Sequence, residues 1–204
     1  MVNQKTALKQ LSKLSHLGKQ MRLAAEQWPS EFQILIATIL SARTRDEKTI
    51  LVAKKLFQKF PSSNKLASAS LKDVQKIIMP VNFYKNKSKN IINCSKKLIE
   101  FYREKIPKEI DELLKLPGVG RKTANVFLSE IGNDAIGVDT HVQYISKKLR
   151  WTKNKNPEKI EEDLKKLFQQ KYWNKVNPTL VRFGRTYSSK KQKDKILDEL
   201  SLKK

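Results

Sequence analysis

The chain has 204 residues, enough for one ordinary domain or two small ones, and its hydrophobic fraction of 39% is sufficient for a core. Its 43 Lys and Arg residues outnumber 20 Asp and Glu residues, and the formal charge of +23 exceeds what solubility requires. This excess predicts a polyanionic partner, with nucleic acid as the leading candidate because binding would release counterions. The alternative is that most of these lysines only solvate the surface.

The cysteine content and the apolar runs exclude several other classes of protein. A single cysteine, Cys94, rules out an intrachain disulfide and a metal site built from several cysteines. No signal-peptide pattern is found near the N-terminus, and the most apolar run, Ile34 to Leu40, is too short to span a bilayer. We therefore expect a reducing compartment: the cytoplasm, with the nucleoid, or a nucleus.

The predicted elements are all helical. Apolar spacing predicts one or two basic amphipathic helices over 4–27, then an almost wholly apolar helix from Phe32 to Leu40 that Ser30 begins as N-cap. Asp46 is the expected N-cap of the next helix, which Pro61 stops. Further helices are expected near 70–79, 84–104, 110–116, 121–131, 139–149, 157–169 and 178–187, and residues 190–204 are expected to form a frayed basic helix. Because no run alternates as a strand does, the predicted fold class is all-α.

Two Asn-Pro pairs carry the same signal for the start of a helix. Asn156-Pro157 and Asn177-Pro178 each offer an N-cap side chain followed by a proline suited to the first helical position. We therefore expect each pair to begin a helix.

The stretch Leu116-Pro117-Gly118-Val119-Gly120-Arg121-Lys122 predicts a tight turn between two helices. Pro117 ends the preceding helix, while Gly118 and Gly120 permit positive φ and a close backbone approach. The second helix then presents its free N–H groups and the positive end of its dipole, which suits a phosphate oxygen. Further along, Asp139 is a preferred N-cap for another helix.

Four motifs together resemble the helix-hairpin-helix DNA glycosylases, specifically their endonuclease III-like branch. They are L-P-G-V-G-R-K-T-A-N-V at 116–126, V-D-T-H-V at 138–142, L-S-A-R-T-R-D at 40–46 and F-Y-K-N-K at 83–87. The resemblance covers roughly residues 28 to 187 in the order of the family. A hairpin with two glycines would be weak support alone, since many DNA-binding proteins carry one, but the combination is specific.

The resemblance implies a two-lobed fold with DNA in a cleft between the lobes. One lobe would be a six-helix bundle over residues 24–134, and the other would combine 1–23 with 135–204. It implies a monomeric base-excision enzyme acting on double-stranded DNA that contains a damaged base or an abasic site. The expected activity is that of a bifunctional glycosylase and lyase that removes oxidised pyrimidines.

The resemblance assigns the chemistry to Lys122 and Asp139. Lys122 would attack C1′ of the damaged nucleotide, expel the base and form a Schiff base with the opened sugar, after which β-elimination would cut the strand. Asp139 would stabilise positive charge on the sugar and assist the proton transfers. The alternatives are a surface lysine that only neutralises phosphate and a carboxylate that only caps a helix.

The resemblance also predicts DNA contacts at the hairpin. Gly118, Val119 and Gly120, with Arg121, would hold a phosphate through backbone N–H groups. A monovalent cation bound by backbone carbonyls there is compatible with the sequence. The alternative is a tight turn between helices without a ligand.

A second set of DNA contacts is expected at Arg43, Phe83, Lys85 and Lys87. Arg43 and Phe83 occupy the family positions that fill the gap left by an extruded base and contact the opposite strand, although Phe83 could instead be a core residue. Many relatives have Gln in place of Arg43 and Gly in place of Asn82. Because Asn tolerates the left-handed conformation, the turn at Asn82 is expected to survive.

A further departure concerns the cofactor. Many endonuclease III relatives follow the helix corresponding to 180–187 with four cysteines that hold a [4Fe–4S] cluster, whereas residues 186–192 contain none here. We therefore expect no cluster and no other metal centre. Packing of Trp151, Phe168, Trp173 and Phe183 would hold the second lobe instead.

Two other functions are compatible with the same motifs. One is a glycosylase of this fold that removes uracil or thymine opposite guanine. The other is a non-catalytic helix-hairpin-helix module that binds DNA.

Overall fold

The computed structural model describes residues 2–202, which form α-helices, one short 3₁₀ turn and no strand. The predicted all-α class is confirmed. In chain order the helices are α1 Gln4–Leu17, α2 Glu31–Ser41, α3 Asp46–Lys59, α4 Ser63–Ala67, α5 Leu71–Ile78, α6 Tyr84–Tyr102, α7 Ile110–Leu114, α8 Arg121–Glu130, α9 Thr140–Lys148, α10 Pro157–Leu167, α11 Trp173–Thr186 and α12 Lys190–Leu202. None of these described helices combines the length and apolar content needed to cross a membrane.

The helices belong to two compact units. One unit spans Arg22–Ile131 and contains α2 to α8. The other combines the residues up to Met21 with those from Gly132 onward, and contains α1 and α9 to α12. The placement of DNA between two lobes remains a prediction.

Helix α2 forms the centre of the unit Arg22–Ile131, as its apolar sequence predicts. Phe32 and every residue from Ile34 to Leu40 are buried, and α2 packs against α3, α6 and α8. The Ser30 hydroxyl accepts a hydrogen bond from the backbone N–H of Gln33 at 3.2 Å, which is the expected N-cap. The position of α2 fixes the turn that follows its C-terminus, where Arg43 lies.

The core of the other unit joins α1, α9, α10, α11 and α12. Its largest buried side chain is Trp151, whose indole N–H donates to Oε1 of the buried Gln10 at 2.6 Å and whose ring meets Phe168 edge-on at 4.9 Å between centroids. Gln10 in turn donates from Nε2 to the carbonyl oxygen of Leu200 in α12 at 3.0 Å. The C-terminal helix is therefore part of this core, and Leu197 within it is fully buried.

The predicted helices over 4–27 are shorter in the structure. Helix α1 ends at Leu17, and Gly18 continues as extended backbone with φ −76° and ψ 128°. A Cβ added at Gly18 would lie 3.0 Å from the backbone nitrogen of Phe183, so α1 ends where its chain passes directly against α11. This close approach favours glycine, because a side chain here would press on the backbone of α11.

Two of the predicted helix starts are wrong. Asp46 is the first residue of α3 rather than its N-cap, which is Arg45, and Asp46 is buried. Asn177-Pro178 lies inside α11, which begins at Trp173. Tertiary packing overrides the local signal there, because the Asn177 amide donates to the carbonyl oxygen of Gly137 at 2.7 Å. By contrast, the predicted N-cap at Asn156 is confirmed.

Candidate functional site

The hairpin joins α7 to α8 through a turn held by its own backbone. The N–H of Leu116 donates to the carbonyl of Leu113 at 3.0 Å, and the N–H of Val119 donates to the carbonyl of Leu116 at 3.1 Å. Helix α8 then begins at Arg121 with Gly120 as its N-cap, which offers no side chain to its first N–H groups. Such N–H groups lack partners within their own helix and suit an anion.

The two hairpin glycines have different reasons to be glycine. Gly118 has φ +84°, and an added Cβ would lie 3.0 Å from Cβ of Asn90 and 3.2 Å from Cγ2 of Ile39. Gly120 has φ −96°, which any residue can adopt, and an added Cβ would meet nothing within 4 Å. The fold therefore requires Gly118 but not Gly120. A glycine that the fold does not require fits a position that a ligand approaches closely.

We expect Gly118→Ala and Gly120→Ala to separate folding from DNA binding. Gly118→Ala should lower the free energy of unfolding by about 1–2 kcal/mol or more, because alanine is strained at positive φ. Gly120→Ala should leave it within about 0.5 kcal/mol but weaken binding of duplex DNA about tenfold. Thermal unfolding and fluorescence anisotropy measure the two effects. Unchanged DNA affinity in Gly120→Ala would rule out close contact at this backbone.

Lys122 and Asp139 each lie at a helix start, and they belong to different units. Lys122 is the second residue of α8 and is partly exposed. Asp139 is the N-cap of α9, is partly exposed, and accepts a hydrogen bond from the N–H of Val142 at 2.9 Å through Oδ1. The capping role expected for Asp139 is thus present, and it engages only one carboxylate oxygen. The convergence of Lys122 and Asp139 on one sugar stays a prediction.

His141 has a structural place between α9 and α11. A Cβ added at Gly184 would lie 2.2 Å from Nδ1 of His141, so the imidazole occupies the space that a side chain at Gly184 would take. Burial lowers the pKa of His141, the Asp139 carboxylate opposes this shift, and Lys193 and Arg185 add to it. The imidazole therefore fills the contact between α9 and Gly184 of α11.

Arg43 and Phe83 form an exposed stacked pair. The guanidinium carbon of Arg43 lies 4.8 Å from the centroid of the Phe83 ring, and Phe83 is 54% exposed. The structure therefore excludes the alternative that Phe83 is a core residue. Both residues have positive φ, +56° for Arg43 and +60° for Phe83. The left-handed conformation that Asn82 would tolerate is not used there, because the residue with positive φ in this turn is Phe83.

Lys87 is not a surface residue, which corrects its predicted contact with DNA. It is 6% exposed, and its ammonium donates to the carbonyl oxygens of Leu40 and Ala42, each at 2.6 Å, and to Oγ1 of Thr44 at 3.1 Å. Burial lowers the pKa of Lys87 to about 8, so the amine remains protonated at neutral pH. Lys85, by contrast, is exposed on α6 as a DNA contact requires.

The structural role of Lys87 and Thr44 is what sequence reasoning missed. Periodicity offered one signal, because Lys87 precedes Ile91 by one helical turn and therefore shares the buried face of α6. Thr44, buried at 8% exposure, gave no comparable signal in its short turn.

The residues present do not fit a [4Fe–4S] cluster, which needs four ligands that are typically thiolates. Cys94, the chain's one cysteine, is buried in α6, and burial raises the pKa of its thiol to about 12. Within residues 2–202 no group of three or more His, Cys, Asp or Glu side chains could hold a metal ion. After α11, where relatives carry the cysteines, the chain continues into α12.

Comparisons with known proteins point in one direction. Residues 36–170 match the family described as HhH-GPD superfamily base excision DNA repair protein. The chain is 44% identical over 155 residues to Endonuclease III of Thermotoga maritima, covering 76% of this chain and 73% of that protein. It is 40% identical over 158 residues to Endonuclease III of Bacillus subtilis, covering 76% and 71%.

Solved structures are similar over nearly the whole chain. A trapped Endonuclease III–DNA covalent intermediate, an estranged-adenine complex, superimposes with a TM-score of 0.84 at 32% identity, covering 93% of this chain and 89% of that one. A thermostable thymine-DNA glycosylase shares the fold, with a TM-score of 0.81 at 18% identity over 93% of this chain and 89% of that one.

Proposed function

Since this chain belongs to the HhH-GPD superfamily of base excision DNA repair proteins, we propose that it removes oxidised pyrimidines from duplex DNA through a covalent intermediate on Lys122. It is an endonuclease III-like enzyme, a DNA glycosylase with abasic-site lyase activity. The observation that carries the proposal is the position of Lys122. This lysine is partly exposed in the first turn of α8, beside a helix N-terminus that no side chain caps.

The proposed reaction starts from the neutral amine of Lys122. Its nitrogen forms a bond to C1′ while the bond from C1′ to the base breaks, and the electron pair leaves with the base, which takes up a proton. The nitrogen loses a proton, and its lone pair then forms the C=N bond of the Schiff base while the bond from C1′ to O4′ breaks and O4′ takes up a proton. A proton leaves C2′, the bond from C3′ to the phosphate oxygen breaks, and the strand is cut. Water hydrolyses the Schiff base and restores Lys122.

Asp139 is proposed to act on the positive charge that develops on the sugar. A carboxylate near that charge stabilises it, and the same group can accept and return the protons that the steps on Lys122 require. The hydrogen bond from Val142 holds the side chain in one orientation through a single oxygen. This mechanism needs Lys122 and Asp139 to approach the same nucleotide.

Asp139→Asn tests the charge of this carboxylate without removing the helix cap. Asparagine caps helices as well as aspartate does, so α9 should keep its start and the protein its melting temperature. Base excision is expected to fall about 10²-fold because the charge is lost. Single-turnover excision measures this rate. Asp139→Ala, which removes the cap and the charge together, is the comparison variant. A wild-type rate in Asp139→Asn would leave only the capping role.

The duplex is proposed to be held by the hairpin backbone from Gly118 to Arg121, by Lys85, and by the pair Arg43 and Phe83. Phe83 is an exposed apolar ring of the type that enters a base stack, and Arg43 lies against it. Binding by a monomer is sufficient for this arrangement. The proposal includes no [4Fe–4S] cluster, and the core of this unit contains Leu197 and Leu200 of α12.

The test uses the wild-type protein and a panel of duplexes that each contain one modified base or an abasic site. We expect excision of oxidised pyrimidines, strand cleavage, and a covalent protein–DNA adduct when borohydride reduces the Schiff base. Excision confined to uracil or thymine opposite guanine would instead indicate a mismatch glycosylase. Failure to excise, cleave or form an adduct with any duplex would indicate a DNA-binding module.

A further inference from the structure

We propose that Lys87 and Asn82 are positioning residues that hold Arg43 and Phe83 as one preorganised pair. Their hydrogen bonds would thereby set the efficiency of base extrusion. The proposal rests on the proposed glycosylase function. It concerns the turn after α2, residues 42–45, and the turn before α6, residues 79–83, both in the unit Arg22–Ile131. We call the hydrogen-bonded set Asn82, Lys87 and Thr44 the brace.

The buried Lys87 fixes the turn after α2 through hydrogen bonds of its ammonium. A lysine ammonium has three N–H protons, and here they match three acceptors, the carbonyls of Leu40 and Ala42 and the hydroxyl of Thr44. Leu40 is near the end of α2, where carbonyl groups lack helical partners and the dipole favours a positive charge. Because its three protons are engaged, Lys87 acts on the shape of the turn rather than on a phosphate.

Asn82 ties the second turn to the first. Its side-chain amide donates to the carbonyl oxygen of Arg43 at 2.5 Å, and its backbone N–H donates to Oγ1 of Thr44 at 3.2 Å. The hydroxyl of Thr44 therefore accepts from both Asn82 and Lys87. Phe83 follows Asn82 directly, so the bonds that fix Arg43 also fix the backbone from which the phenyl ring projects.

The backbone at Arg43 and Phe83, which are the tips of the two turns, shows why the brace is needed. Arg43 and Phe83 have φ of +56° and +60°, a conformation unfavourable for residues with a side chain. Residues persist in such conformations where the surrounding structure determines them, and they concentrate at functional sites. Both tips are exposed, so core packing does not hold them. The hydrogen bonds of the brace hold the tips, and a pair ordered before binding avoids an entropy loss on the DNA.

The reaction offers a readout specific to this role. A damaged base must leave the stack before it can be excised, whereas an abasic site has no base to unstack. A weakened brace should therefore slow excision of a damaged base more than cleavage at a preformed abasic site. A loss of overall stability would slow both reactions alike.

The central comparison is Thr44→Val against Thr44→Ser. Valine keeps the branched shape and removes the shared acceptor, whereas serine keeps the hydroxyl. We expect Thr44→Val and Asn82→Asp to slow single-turnover excision of an oxidised pyrimidine about tenfold and abasic-site cleavage less than about threefold. Thr44→Ser should behave as wild type. Lys87→Met should show a larger difference between the loss in excision and the loss in abasic-site cleavage. The Thr44 pair keeps the test valid if Lys87→Met does not fold.

The same samples report base extrusion through the fluorescence of 2-aminopurine next to the lesion, which should rise more slowly in Thr44→Val than in Thr44→Ser. Equal losses on both substrates, or no loss in Thr44→Val, Asn82→Asp and any folded Lys87→Met, would overturn the proposal while leaving the enzyme assignment intact. Absence of abasic-site cleavage in the wild type would instead overturn the proposed function itself.

Discussion

Lys122→Gln is expected to lower base excision and abasic-site cleavage more than about a thousandfold, because the amide cannot attack C1′ or form a Schiff base. Lys122 is only partly buried, so the substitution should not disturb the fold. Affinity for an abasic duplex should fall less than about tenfold, since one positive charge of many is lost. Gel-based cleavage, borohydride trapping and fluorescence anisotropy measure the three quantities.

A matched control for Lys122→Gln is Lys159→Gln in α10, where the side chain is exposed. This variant removes the same charge at a position without an assigned role, and its cleavage and trapping should equal those of the wild type. Near-normal trapping by Lys122→Gln would mean that another amine forms the covalent bond. In that case a digest of the trapped adduct would identify which one.

Removal of α12 is expected to unfold the unit that contains α1 and α9 to α11. A chain ending at Ser189 loses the buried side chains of Leu197 and Leu200, and losing two such residues removes about 4–10 kcal/mol. A typical domain has a total of about 5–15 kcal/mol. The truncation also removes the carbonyl partner of Gln10 and the carboxylate of Asp194 that accepts from the Tyr144 hydroxyl. Thermal unfolding and limited proteolysis followed by mass spectrometry would detect the loss.

Point variants in α12 measure its contribution to the free energy of unfolding without shortening the chain. Leu197→Ala should lower the free energy of unfolding by about 2–5 kcal/mol, because the leucine is fully buried. Leu202→Ala in the same helix should change it by less than about 0.5 kcal/mol, since that side chain is 77% exposed. If the truncated protein melted at the wild-type temperature, α12 would have no part in the stability of its unit.

Local signals in the sequence predicted the helices well where the signal and the packing agree. Ser30 and Asn156 each accept a backbone hydrogen bond as the N-cap that the sequence predicted. Asn177-Pro178 carries the same signal as Asn156-Pro157, yet lies inside α11. The difference is the hydrogen bond from Asn177 to Gly137, 40 residues away. A distant partner of this kind leaves no mark on the local pattern.

In the candidate site, too, features set by adjacent residues could be predicted from the sequence, and features set by distant residues could not. The hairpin turn follows from adjacent residues, and of the two glycines that permit positive φ only Gly118 has it. Arg43 and Phe83 were predicted one by one from their motifs, but their stacking joins two turns that are distant in the chain. Lys87 was assigned to DNA because it belongs to the F-Y-K-N-K motif of the family resemblance. Its burial depends on three oxygen acceptors that only the folded turn brings together.

The brace beneath Arg43 and Phe83 fixes the backbone of the two turns, whichever side chains these two positions carry. Their stacking is an exposed contact, whose contribution to stability is small. Mutations at these two positions can therefore accumulate during evolution with little loss of thermal stability, whereas replacement of the buried Lys87 removes the three hydrogen bonds of its ammonium. Descendants of one ancestral scaffold could thus diverge in the damage they repair while inheriting the same folding energetics.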